Sequence, residues 1–373
     1  MMLSVKKITM DKTALTNFDA AMQKRTFFIW IMLLLIAAVI CSVGLALSIG
    51  QVSVSFGDAL RIVTLRSTGI SLGDMEELAS GTTMDIIWNI RLPRVLLAMI
   101  VGTGLALCGA VMQAAVQNPL ADPYILGISS GASLGATFSI ILGFGAAGIF
   151  GNLGVAFWAF LGAFGASVLV LVLANVGSKM SSVKLVLAGM VIHALCSAFS
   201  NFIVYFAKDA EGIRSITFWT MGSLASAKWD QLPLIAVIVG AAALFFIFQA
   251  RILNTMLMGD EAAITLGIHL NTYRRLYMML ASLLTGILVA TCGIIGFVGL
   301  IVPHIVRSMV GSDHKRLLPV TILVSAIFLI WTDVLARSII PNGELPIGIV
   351  TALLGAPMFM YMLIKRSYGF GGK

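Results

Sequence analysis

Charge is scarce in this sequence: 11% of its 373 residues are Asp, Glu, Lys or Arg, against roughly 25% in an ordinary soluble domain. With 59% hydrophobic residues, a water-soluble globular chain is excluded. No G-x-x-x-x-G-K-[ST] phosphate loop occurs, and Gly177-Ser178-Lys179 has neither the earlier glycine nor the following hydroxyl, so any ATP hydrolysis falls to another chain. Cys41, Cys108, Cys196 and Cys292 stand singly in apolar stretches without a C-x-x-C pair, which argues for small packing residues and against a redox or metal centre. No H-E-x-x-H, Ser-Lys or paired-Asp arrangement falls within an apolar run, which removes an intramembrane hydrolase from consideration.

Long apolar runs are what the sequence has in abundance. A bilayer core takes roughly 20 apolar residues per helix, and runs bounded by charge, Pro or Gly predict spans near 28–49, 93–116, 122–143, 153–176, 184–206, 232–252, 273–293, 296–310, 317–338 and 345–364. The expected fold is all-α: about ten transmembrane helices in one domain, 28–365, between an N-terminal segment, 1–27, and a tail, 366–373. The first run is too long for the apolar region of a cleaved signal and has no clean small-residue cleavage site, so it reads as a retained helix. The eighth run contains Pro303 and is expected to be buried in protein, where a carbonyl freed by proline can find a partner. With the N-terminus in the cytoplasm, sixteen of the 24 Lys and Arg residues fall on the cytoplasmic side and eight outside. This agrees with the positive-inside rule, predicts that both termini are cytoplasmic, and accounts for the net charge of +8 without nucleic acid.

The connections carry the remaining detail. Residues 50–92 read as a mostly polar outer loop. Residues 207–231 mix charges with Phe218, Trp219 and Trp229 and suit a short helix at the outer interface. On the cytoplasmic side the segment 258–267, Met258-Gly259-Asp260-Glu261-Ala262-Ala263-Ile264-Thr265-Leu266-Gly267, reads as a short amphipathic helix, with acids at its start and glycine at its end; such a helix suits a groove on a partner. Gln117-Asn118-Pro119-Leu120-Ala121-Asp122-Pro123 makes a rigid turn at the cytoplasmic mouth. Within spans, Asp333 and Arg337 are spaced to pair on one helix face. That pairing leaves no deep carboxylate relay, which a proton-coupled secondary transporter, the alternative of a different class, would need.

Three ordered blocks carry a resemblance. Arg91-Leu92-Pro93-Arg94 is followed by Gly109-Ala110-Val111-Met112-Gln113 and Asn118-Pro119-Leu120-Ala121-Asp122-Pro123; a second block is Gly296-Phe297-Val298-Gly299-Leu300-Ile301-Val302-Pro303-His304-Ile305-Val306-Arg307; a third runs from Glu344-Leu345-Pro346-Ile347-Gly348 to Leu354-Gly355-Ala356-Pro357. From about Ile86 to Lys365 the chain resembles the FecCD-type iron-chelate and cobalamin permeases. The resemblance implies the type II ABC importer permease fold in a bacterial cytoplasmic (inner) membrane. Its implied partners are a second copy or a paralogous permease, two cytoplasmic ATPase subunits that use ATP and Mg, and a periplasmic or lipid-anchored substrate-binding protein. No cofactor or metal is expected on this chain. The implied cargo is a metal chelate, first a ferric siderophore, with haem or cobalamin as alternatives. The resemblance places a cytoplasmic gate at Asn118 and Leu120 and a second near Ser182 and Val183, where the cobalamin permease has two hydroxyl residues. It makes Gly259, Asp260, Glu261, Ala262, Leu266 and Gly267 part of the ATPase-coupling helix. It sets Arg91, Arg94 and Arg337 on the outer face, facing acidic residues of the binding protein.

Overall fold

The computed structural model describes residues 12–71, 81–143, 154–176 and 181–364. The terminal residues 1–11 and 365–373, and with them Lys6, Lys7, Lys365, Arg366 and Lys373 of the charge argument, lie outside the described residues, as does Lys179. Among the described residues there is no strand. In chain order the helices are α1 Lys12–Ser48, α2 Phe56–Thr68, α3 Thr82–Val116, α4 Ile128–Ile141, α5 Gly154–Asn175, α6 Ser182–Phe206, α7 Ala210–Thr220, α8 Leu232–Phe248, α9 Ala250–Leu257, α10 Asp260–Thr265, α11 Leu270–Cys292, α12 Val298–Val310, α13 His314–Ser338 and α14 Ile347–Ile364.

Every expected span meets a helix. Six are long and apolar enough to cross a membrane, α8 and α9 form a pair bent by 59°, and α4, α12 and α14 are shorter apolar helices. The centre is α3, 78% of whose most apolar stretch is buried, whereas α1 is buried over only 11%. Small residues let helices close on α3. A Cβ on Gly102 would stand 2.6 Å from the Ser325 carbonyl oxygen of α13, and one on Gly109 only 1.8 Å from the Gly299 carbonyl oxygen of α12. A second close crossing joins α4 to α5, where Gly131 and Gly135 face the carbonyls of Gly162 and Trp158, as small residues at four-residue spacing allow.

The structure corrects the reading of 50–92 as a loop. Ser55 caps α2, its Oγ accepting from the Asp58 N–H at 3.1 Å, and Gly69 closes it in the left-handed conformation at φ 76°. Only Ala59 and Ile62 of α2 are buried, so no long apolar run announces the helix. Likewise Pro93 does not begin the second span. The helix starts at Thr82 and passes through a π-helical turn at Ile86–Arg91. In that i to i−5 pattern Leu92 N–H bonds the Ile87 carbonyl, and the next donor would be residue 93, which as proline has none. The Trp88 carbonyl so released accepts from the Trp229 indole N–H at 2.8 Å, and the two rings stack 4.9 Å apart.

Pro303 repeats the logic in α12. It lies buried, as its sequence context predicts, and the carbonyl it deprives of a partner, that of Gly299, faces Gln113 Nε2 of α3 at 3.3 Å. The interface helix expected within 207–231 is α7, capped by Asp209, whose oxygens accept from the Glu211 and Gly212 N–H groups at 3.0 Å.

Candidate functional site

Two polar clusters lie along α3, one around Arg94 just after the π turn and one at the C-terminal end beside Gln117. Arg94 and Gln117 are 23 residues apart, about 35 Å at roughly 1.5 Å per helical residue, which is of the order of a bilayer core.

At the Arg94 end, the guanidinium Nε donates to Asp333 Oδ1 at 2.8 Å and Nη1 donates to both Glu344 oxygens at 2.8 Å. The second Asp333 oxygen lies 3.4 Å from Arg337 Nε, the pair expected from their spacing. Arg91 Nη1 donates to the carbonyls of Leu47 and Ser48 at 2.6 and 3.2 Å and Nη2 to that of Val52, while Arg337 Nη2 donates to the Ala46 carbonyl. The carbonyls of Ala46, Leu47 and Ser48 end α1 and have no acceptor duty within it, so the two arginines serve as its C-terminal cap and answer the negative end of its dipole. Gly50 makes the approach possible, since a Cβ there would lie 2.7 Å from Arg91 Nη2. Gln51 then fastens the following connection: its Nε2 faces the carbonyls of Arg337, Ile340 and Gly343 at 3.0, 2.8 and 3.1 Å, and its Oε1 accepts from Asn342 N–H at 3.1 Å.

In this structure Arg91, Arg94 and Arg337, expected to face a binding protein, are engaged within the chain. All three are 4–5% exposed and spend their donors inside the chain, whereas the Glu344 side chain is 43% exposed. A guanidinium in an apolar bundle must find acceptors, and these find them within reach.

At the other end α3 stops at Gln117, which takes the left-handed conformation at φ 56°. The Asn118 N–H returns to the Gln113 carbonyl at 3.1 Å, Asn118 Oδ1 accepts from Leu120 N–H at 2.9 Å, and Asp122 Oδ1 accepts from Tyr124 N–H at 2.8 Å. The turn is therefore rigid, as its Asn, Pro and Asp predict, with Asn118 and Leu120 half-buried on it. Ser182 and Val183 open α6 behind the Ser181 cap; Val183 is 67% exposed, and the Ser182 side chain lies outside the described residues. α6 meets the segment after the turn at Gly189, where a Cβ would lie 1.9 Å from the Ile125 carbonyl oxygen.

Beside this turn lies α9, the short arm beyond the 59° bend, with Leu253 and Met256 buried. Gln117 Nε2 donates to the Met256 carbonyl at 2.7 Å and so fastens the turn to α9. α10 follows at once, between Gly259 at φ 98° and Gly267 at φ 75°. Ala262 is half-buried and Leu266 is 62% exposed; the Asp260 and Glu261 side chains lie outside the described residues. Two further ties complete this end: Arg307 Nη2 donates to Gln113 Oε1 at 2.8 Å, and Arg274 Nε to the Ala115 carbonyl at 2.6 Å.

Sequence reasoning missed Gln113, Gln51 and Glu344. A glutamine inside a span and an unpaired-looking arginine at its start are signals that each needs a partner, but the partners are 186 and 250 residues away.

Residues 23–365 match the family model described as the FecCD transport family. The chain belongs to this family. Its relatives include a protein of Methanocaldococcus jannaschii named as an ABC transporter permease, 42% identical over 75% of this chain and 82% of that one, and the hemin transport system permease HmuU of Yersinia pestis, 37% identical over 83% and 92%. Others, 38% and 35% identical, are named as vitamin B12 and molybdate import permeases, from Citrobacter koseri and Haemophilus influenzae. A solved structure named as a metal-chelate type ABC transporter in an inward-facing conformation superposes with a TM-score of 0.75 at 33% identity, covering 90% of this chain and 99% of that one. This FecCD chain is thus a multi-pass ABC transporter permease subunit.

Proposed function

We propose that this FecCD permease carries a metal chelate inward through the cytoplasmic membrane, driven by two separate ATPase subunits that hydrolyse Mg-ATP. The reading is carried by one observation, the 2.7 Å bond from Gln117 to the Met256 carbonyl. It joins the turn of Asn118 and Leu120, the proposed gate with Ser182 and Val183, to the segment of Gly259, Asp260, Glu261, Ala262, Leu266 and Gly267, the proposed ATPase contact. A push on α10 would then reach the gate turn through α9. Both termini are cytoplasmic in this reading, in keeping with the basic residues of that side.

The exposed face of α6 supports pairing with a second permease copy or a paralogue around a path. His193 and Asn201 are exposed there, and polar groups are costly against lipid but suit a water-filled passage. From Leu185 to Phe206 the helix carries no charge, which fits a bulky chelate better than a small oxyanion needing cationic partners. A ferric siderophore is the first candidate, with haem and cobalamin as alternatives. Since Arg91, Arg94 and Arg337 are engaged internally, their proposed part in binding-protein docking is to hold that face in shape.

Uptake of ferric siderophores, haem, cobalamin and molybdate by a deletion strain, with and without the restored gene, tests this reading. Loss of one chelate and its recovery is the expected result; loss of molybdate alone would overturn the chelate assignment.

A further inference from the structure

The end of α9 makes a second tie that the gate reading does not use. Asn254 stands one turn into α9, on the side facing the start of α13. Its Nδ2 donates to Asp313 Oδ1 at 2.6 Å, while its Oδ1 accepts from the His314 N–H at 2.8 Å and lies 2.8 Å from His314 Nδ1. Asp313 Oδ1 also accepts from the Lys315 N–H at 3.0 Å and is the N-cap of α13. Burial alone would raise the Asp313 carboxyl, but the bonds from Asn254 and Lys315 N–H, with the charges of Lys315 and Arg316, outweigh it and hold the group below its ordinary value.

Two features separate this tie from a local cap. Asp313 caps α13 without help, so Asn254 is not needed for the helix to begin. Its donor and acceptor are both spent on residues 59 and 60 positions away, so its bonds exist only between elements. α13 then runs from His314 to Asp333, about 29 Å along the helix at roughly 1.5 Å per residue, with Arg337 one turn further, and it packs closely on α3 at Gly102 and Ser325.

We propose that Asn254 is the positioning residue through which movement of the 259–267 segment is passed to α13, and along it to the Arg94–Asp333–Glu344 cluster at the far end. This rests on the reading of 259–267 as the ATPase contact. α9 then has two outputs: the Met256 carbonyl moves the gate turn, and Asn254 moves the rod that ends at the opposite face.

The test uses the whole transporter, with its own ATPase and binding-protein chains, in nanodiscs. ATP hydrolysis is measured with and without the binding protein, together with the amount of ATPase chain retained and the unfolding temperature. Asn254→Ala removes the tie but leaves the Asp313 cap. It is expected to lower the stimulation by binding protein about fivefold or more, the scale of a typical coupling between sites, with basal hydrolysis and unfolding temperature unchanged. Asn254→Asp sets two carboxylates against each other and should be at least as impaired. Adding Asp313→Asn to it restores a donor–acceptor pair across the contact while either residue still caps α13, and should recover stimulation. Normal stimulation in Asn254→Ala, or a parallel loss of stimulation, basal activity and unfolding temperature, would overturn the proposal. So would a double variant no better than Asn254→Asp; if Asn254→Asp does not assemble, the alanine variant decides. Failure of the underlying reading looks different, because Leu266→Glu in the 259–267 segment would then leave both the retained ATPase chain and its stimulation at the wild-type level.

Discussion

The two ends of α3 solve the same problem with different chemistry. Around Arg94, ions are paired with ions and with the last carbonyls of α1, buried except for the half-exposed Glu344. At the Gln117 end the ties between elements include neutral amide bonds, from Gln117 to the Met256 carbonyl and from the His314 N–H to the Asn254 side-chain oxygen, beside single guanidinium donors from Arg274 and Arg307. Removing one partner of a buried ion pair costs about 3–5 kcal/mol, whereas a neutral hydrogen bond contributes about 1 kcal/mol net. The first kind of contact holds one geometry; the second can be broken and remade within a working cycle. In the proposed gating the first cluster would stay fixed while the second moves.

The largest expected effect is at Asp333. Asp333→Ala leaves Arg337 without its carboxylate and Arg94 with Glu344 alone, and should cost about 3–5 kcal/mol, seen as a large fall in unfolding temperature; adding Arg94→Met should recover part of it, because one under-compensated buried charge is removed. Gln113→Leu takes the donor from the Gly299 carbonyl and the acceptor from Arg307, and should cost about 1–3 kcal/mol by the same measurement. Glu344→Gln breaks a contact whose acid is half in solvent, so screening limits the loss to about 1 kcal/mol or less; the wild-type advantage should vanish at high salt. A stability effect as small, about 1 kcal/mol, is expected for Gln117→Ala, yet uptake should drop while the protein stays folded. If Gln117→Ala unfolds the chain more readily than Asp333→Ala, the division into a fixed and a working end is wrong.

Hydropathy made the ten helices legible because lipid demands long apolar stretches, and this rule does not depend on what packs against what. It failed where a helix meets other conditions. α2 buries only Ala59 and Ile62 and reads as polar. Pro93 reads as a helix start because its missing N–H is harmless there, but a π turn and an indole from residue 229 make it equally harmless inside. Among the candidate residues, the turn at Asn118 and the glycines bounding α10 were legible from local backbone chemistry. The fate of the three arginines was not: the Asp333–Arg337 spacing shows one pair, but the contact that engages Arg94 depends on how α3, α13 and the 339–346 connection come together.

The two prolines also impose an order on biogenesis. The Trp88 carbonyl, released by Pro93, is served by a side chain made 141 residues later. A nascent chain inserted only as far as α6 therefore holds that acceptor open at the membrane boundary, where water can occupy it until residue 229 arrives. Pro303 works in reverse, for Gln113 is already in the membrane when the Gly299 carbonyl appears 186 residues on. The first socket waits for its plug and the second plug waits for its socket, so the early part of the chain is stitched to the later part only once residue 229, and then residue 299, has left the ribosome.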